Sequence, residues 1–143
     1  MPVEENKAAI RKLWEVVYNQ RKPEVMGAIA TQEETEHVMR FYRVLTVAMP
    51  GLKVTILQML GEGDLVADVV MFHGTQTGPL TIPGLSSPPT GKVFDVRMVN
   101  VWRLENGRIS EHWGHWDVLG FMRTLGAAPG GPPPGPGPVG PPR

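Results

Sequence analysis

At Pro50-Gly51 the apolar periodicity of this chain changes, and that change constrains the fold more than any other feature. Before it, apolar residues recur at helical spacing. Ile10, Leu13, Trp14 and Val17 form one face of a helix over residues 4–19, and Val38, Phe41, Tyr42, Leu45 and Met49 form one face of a second. Thr31-Gln32-Glu33-Glu34 reads as a capping box at the start of that second helix, and Pro50-Gly51 ends it. Pro23 fits the first turn of a short helix over residues 24–30. After Gly51 the pattern alternates with period two. Strands are predicted over 52–60, 65–75, 93–104 and 109–116, with a Gly/Asp turn at 61–64 and an Asn106-Gly107 hairpin turn. Residues 77–92, rich in proline and glycine, read as a loop, and 118–125 as a short helix stopped by Gly126. Helices first and an antiparallel meander afterwards predict an α+β fold, with the helices on one face of the sheet.

The 143 residues suffice for one domain, expected over 1–126. Residues 127–143 are almost entirely proline, glycine and alanine, lack a strict Gly-X-Y period, and read as a disordered tail. Acidic and basic residues balance at 14 each and form no basic stripe, which argues against nucleic acid as a partner. Cysteine is absent, so disulfides and thiolate metal sites are excluded. With no apolar leader and no apolar run near the ~20 residues of a membrane span, no membrane partner is expected and a cytoplasmic location is the default.

The densest chemistry lies in Arg108–Asp117, which holds two histidines, two tryptophans and two carboxylates. Unbroken alternation puts Glu111, Trp113, His115 and Asp117 on one face, and His112 on the other unless a bulge intervenes. If that first face is the inner one, Asp117 sits among indoles, its charged form is disfavoured, and it becomes an acid/base candidate with His115 and His112 as partners. The competing reading is that Asp117 only caps the helix that follows. A metal site is not expected, because His112 and His115 fall on opposite faces of a strand. On the third long strand, Phe94, Val96, Met98, Asn100 and Trp102 make the face expected to meet the helices, against Asp95, Arg97, Val99 and Val101. Trp14, Tyr18, Phe41, Met71, His73, Met98, Asn100 and Trp113 are candidate ligand-binding residues. For His73, a satisfied buried histidine is the plainer reading, and His37 on its helix reads as solvated.

Several segments, in order, carry a resemblance: Gly61-Glu62-Gly63-Asp64-Leu65-Val66, Gly74-Thr75-Gln76-Thr77-Gly78, Pro89-Thr90-Gly91-Lys92, Trp102–Ile109, and Glu111-His112-Trp113 with Asp117-Val118-Leu119-Gly120. Together they resemble the SnoaL-like polyketide cyclase (ester cyclase) family of the nuclear transport factor 2-like superfamily. The resemblance implies a cone-shaped α+β barrel, with a curved antiparallel sheet whose concave face is closed by the N-terminal helices. It implies a homodimer formed through the outer sheet face. It also implies cofactor-free acid/base chemistry, such as intramolecular aldol closure, on a small apolar polycyclic or aromatic molecule, with an aspartate at the position of Asp117. Around Met26–Thr31 the chain is shorter by about a dozen residues than the resemblance implies, so a more open cavity, or one closed by a partner subunit, is expected. Alternatives on the same fold are a non-catalytic small-molecule-binding protein and an epoxide-hydrolase-like enzyme using Asp95, Arg97 and Asp117. A module recruiting partners through the proline-rich tail is a further reading.

Overall fold

The structure is a computed structural model that describes residues 2–83 and 85–126, apart from the side chain of Leu125. The expected tail at 127–143 lies outside the described residues.

Helix α1 (Val3–Lys12) continues without interruption as a π-helical segment, Leu13–Asn19. Such wide turns are uncommon and tend to mark functional sites. The segment is stitched to the sheet at its end. Asn19 Nδ2 donates to the carbonyl of Val54 at 2.8 Å, and its Oδ1 accepts from the Val54 N–H at 2.7 Å. Arg21, with a positive φ of 56°, then turns the chain, and its guanidinium binds the carbonyls of Tyr18, Pro50 and Leu52. A 3-10 turn (Pro23–Val25) and the single-turn α2 (Met26–Ile29) follow. Helix α3 (Gln32–Ala48) is capped by Thr31, whose hydroxyl accepts from the Glu34 N–H at 3.3 Å.

The strands are β1 (Lys53–Glu62), β2 (Leu65–Thr75), β3 (Leu80–Ile82), β4 (Leu85–Ser87), β5 (Val93–Glu105) and β6 (Arg108–Trp116). The main sheet is antiparallel in the order β1-β2-β5-β6, and the predicted loop at 77–92 contains the small β3–β4 hairpin. Asn106 and Gly107 both take positive φ at the β5–β6 turn, as a tight hairpin requires. Helix α4 (Val118–Leu125) ends at Gly126 in the left-handed conformation.

Helices pack on one side of the sheet. The buried row of β2 (Val66, Asp68, Val70, Phe72) and that of β5 (Phe94, Val96, Met98, Asn100, Trp102, Leu104) meet Ile10, Leu13, Trp14, Val17 and Tyr18. The face expected of β5 is the face found. This is the α+β, nuclear transport factor 2-like arrangement that the resemblance implies.

Two bulges break the regular pairing. In β1 the extra residue lies between Ile56 and Gln58, and in β6 between Ile109 and Glu111. The second has the larger consequence. Ile109 is fully buried, and unbroken alternation from it would turn Glu111, Trp113 and His115 inward. Because Ser110 is the extra residue, His112, Gly114 and Trp116 turn inward instead, and Glu111, Trp113 and His115 face outward. Where α2 passes to α3, Ala30 makes a one-residue parallel bridge to Ile109, with the Thr31 N–H donating to the Ile109 carbonyl at 2.9 Å.

Candidate functional site

Between α3, the π-helical segment and the inner face of β5 and β6 lies an apolar cavity of about 420 Å³. Trp14 and Tyr18 come from the helical segment and His37, Val38 and Phe41 from α3. Met98 and Trp102 on β5, with His112 to Trp116 on β6, complete the wall.

Beneath it is a hydrogen-bonded polar chain. Asp68 on β2 is 2% exposed, and an aspartate so placed needs donors for its oxygens. Its Oδ2 accepts from the indole N–H groups of Trp14 and Trp102, both at 2.9 Å, and its Oδ1 accepts from Asn100 Nδ2 at 2.8 Å. Burial pushes the Asp68 carboxyl up, against the pull of those three donors. Indole can only donate, and with the Asn100 amide NH2 turned to Oδ1 three donors meet the two oxygens, an arrangement that suits a carboxylate. Asn100, itself fully buried, spends its amide NH2 on Asp68 and so turns its Oδ1 towards His112 Nε2, 2.7 Å away. An oxygen at that position requires N–H on Nε2. The proton-free nitrogen of the neutral ring is therefore Nδ1.

Packing holds the ring in place. The imidazole lies flat on the Trp102 indole, with centroids 3.8 Å apart and planes 8° apart. Burial, and secondarily the neighbouring His37, lower the His112 pKa to about 4, so the ring is neutral at neutral pH. Gly114 lies opposite Asn100 in the ladder. A Cβ there would stand 2.7 Å from His112 Nε2 and 2.8 Å from Asn100 Oδ1, so glycine leaves the space the hydrogen bond occupies. Burial also pushes the Tyr18 hydroxyl up, keeping it a neutral donor and acceptor.

The site differs from the sequence expectation in identifiable places. His112, Trp14, Tyr18, Phe41 and Met98 line the cavity, and Asn100 holds His112 from below. Asp117 does not enter the cavity. It is exposed, its Oδ1 accepts from the Gly120 N–H at 2.9 Å, and it is the N-cap of α4. His115 and Trp113 border the cavity but are exposed on the outward parity of β6. Met71 stands on the outer face opposite Thr55 and Arg97. His73 is neither buried nor in the cavity, and its Nδ1 lies 2.5 Å from Asp95 Oδ1 at the surface. Asp95, Arg97 and Asp117 lie outside this cavity but share a second, solvent-open hollow of about 520 Å³ with Met71 and Phe121. His37 is exposed, as expected of a solvated helix residue, yet stands at the cavity edge with its ring edge-on to His112.

Sequence reasoning missed Asp68. The signal was present, since Asp68 is the one charged residue in the otherwise apolar inward row Val66, Val70 and Phe72.

No helix among the described residues is long and apolar enough to cross a membrane. No group of three or more His, Asp or Glu among them is arranged to hold a metal ion.

Solved structures share this architecture. A SnoaL-like protein from Jannaschia sp. CCS1 superposes with a TM-score of 0.76 at 24% identity, over 89% of this chain and 95% of its own. TsrD from Streptomyces laurentii gives 0.78 at 24%, over 89% and 98%. IdmH from Streptomyces antibioticus gives 0.70 at 24%, over 85% and 98%. At these identities the likeness is one of fold. Among curated proteins none matches the sequence. Residues 6–125 match the SnoaL-like polyketide cyclase family across almost all of the described chain, and the protein belongs to that family.

Proposed function

We propose that this protein is a cofactor-independent acid/base enzyme acting on a small apolar, polycyclic or aromatic carbonyl compound, with His112 as the proton acceptor. One observation carries the reading: a neutral imidazole, anchored from below through Asn100 to a buried carboxylate, stands in the wall of an otherwise apolar cavity. A proton taken from carbon beside a carbonyl would pass to Nδ1, leaving an enolate free to attack within the same molecule. The imidazolium so formed keeps its Nε2–H on Asn100 Oδ1, and the aromatic walls hold the reacting carbons together. The exposed, capping Asp117 takes no part in this scheme.

The test is deuterium incorporation from D2O into 2-tetralone, an enolisable bicyclic ketone. The protein is expected to accelerate exchange over buffer. His112→Ala is expected to abolish the acceleration, and Asp117→Asn to leave it unchanged. Acceleration that survives His112→Ala, or is lost in Asp117→Asn, contradicts the assignment.

The outward face of the sheet supports a homodimer. Val99 is 51% exposed there, beside Val69, Met71 and Val101, with the His73–Asp95 pair and the Arg103–Asp64–Glu111 ion cluster around them. An apolar sheet centre ringed by charge suits a second copy of the same face. Sedimentation is expected to show a dimer that Val99→Glu dissociates.

A further inference from the structure

The cavity carries a charge preference that follows from its polar floor, given the reading of it as a ligand site. Asp68 has no cation within ion-pair distance among the described residues. No lysine or arginine lines the cavity. The polar floor under a bound molecule therefore ends in a carboxylate with no cation paired to it among the described residues, in surroundings too apolar to screen it well. His112 does not offset it, because the neutral ring offers the cavity a lone pair and keeps its N–H for Asn100.

We infer that Asp68, acting through Asn100, fixes the tautomer of His112 and makes the cavity select neutral hydrogen-donating aromatic ligands over carboxylates of the same shape. A phenolic or enolic O–H, or an acidic C–H beside a carbonyl, gives its hydrogen to Nδ1. An aromatic carboxylate meets that lone pair and, below it, the Asp68 charge.

The chain of bonds states what removing that charge does. In Asp68→Asn the position shared by the Trp14 and Trp102 N–H groups must still hold an oxygen. The new amide NH2 then faces Asn100, which must turn its own oxygen to meet it. Asn100 consequently presents NH2 to His112 Nε2, which becomes the acceptor, and the ring proton moves to Nδ1. One substitution, distant from the cavity surface, thus removes the charge and reverses the ring.

The experiment measures calorimetric affinities for 2-naphthol and 2-naphthoate at neutral pH, with 15N spectra of the histidine side chains. In the wild type, 2-naphthol is expected to bind at least about tenfold more tightly than 2-naphthoate. The His112 spectrum is expected to show protonated Nε2 and proton-free Nδ1. In Asp68→Asn the preference is expected to shrink through a gain for 2-naphthoate, and the two nitrogen signals to exchange character. Equal wild-type affinities, or a proton on Nδ1 in the wild type, overturn the inference and leave the ligand cavity standing. Binding of neither probe overturns the cavity reading and this inference with it. Both wild-type measurements decide the matter even if the variant does not fold.

Discussion

Ile109 and His112 lie three residues apart on one strand and face the same side of the sheet. Regular alternation forbids this for an odd separation, and the extra residue Ser110 permits it. The bulge absorbs Ser110 and so keeps the candidate base on the inner face, opposite Trp102.

Deleting Ser110 tests that reading. Without the extra residue Ile109, Glu111 and His112 pair in regular succession with Leu104, Arg103 and Trp102, so His112 stays on the inner face. We expect the deletion variant to keep 2-tetralone exchange and its His112 to stay slow to react with diethyl pyrocarbonate. A folded deletion variant that loses exchange and exposes His112 would show that the bulge itself, and not the pairing, aims the ring.

Gly114 gives a subtler probe. A methyl group there would intrude on the His112–Asn100 bond and on Met98 Cε, 2.6 Å from the added carbon. Gly114→Ala is expected to slow exchange by about tenfold or more, because small displacements of a positioned group are costly in rate. Its destabilisation is expected to stay near 1–3 kcal/mol, as for overpacking elsewhere. Steady-state exchange rates and urea denaturation separate the two effects.

Stability should depend on pH through the same ring. His112 has a pKa near 6.5 when unfolded and about 4 when folded. Between those values the unfolded chain binds the proton and the folded chain does not, so this contribution is complete above pH 6.5 and is lost as pH falls towards 4. The loss is at most roughly 3 kcal/mol. Asp68 acts with the opposite sign, since its raised carboxyl favours the folded state as pH falls. The difference in unfolding free energy between wild type and His112→Gln isolates the histidine, and it should shrink across that window.

Much of this arrangement was legible because local chemistry and the fold agree. The Thr31 cap, the Asn106-Gly107 turn and the Gly126 stop are each set by a few neighbouring residues. The inward face of β5 followed from an alternation that nothing interrupts. The site was less legible because it depends on β6, where one bulged residue inverts the parity of everything after it. Asp117 was read as facing inward from that uncorrected parity, and its position before a helix start favoured the cap it makes. Asp68 required knowing that two indoles from distant segments, Trp14 and Trp102, converge on one oxygen, which no local pattern encodes.

The pH dependence of 2-tetralone exchange, measured as kcat/KM, tests the central claim most directly. A neutral, desolvated His112 acting as base predicts a rate that is level from pH 8 to about 5 and falls with a single inflection near 4. An inflection near 6.5, where a solvated histidine titrates, or a profile unchanged by His112→Ala would contradict it.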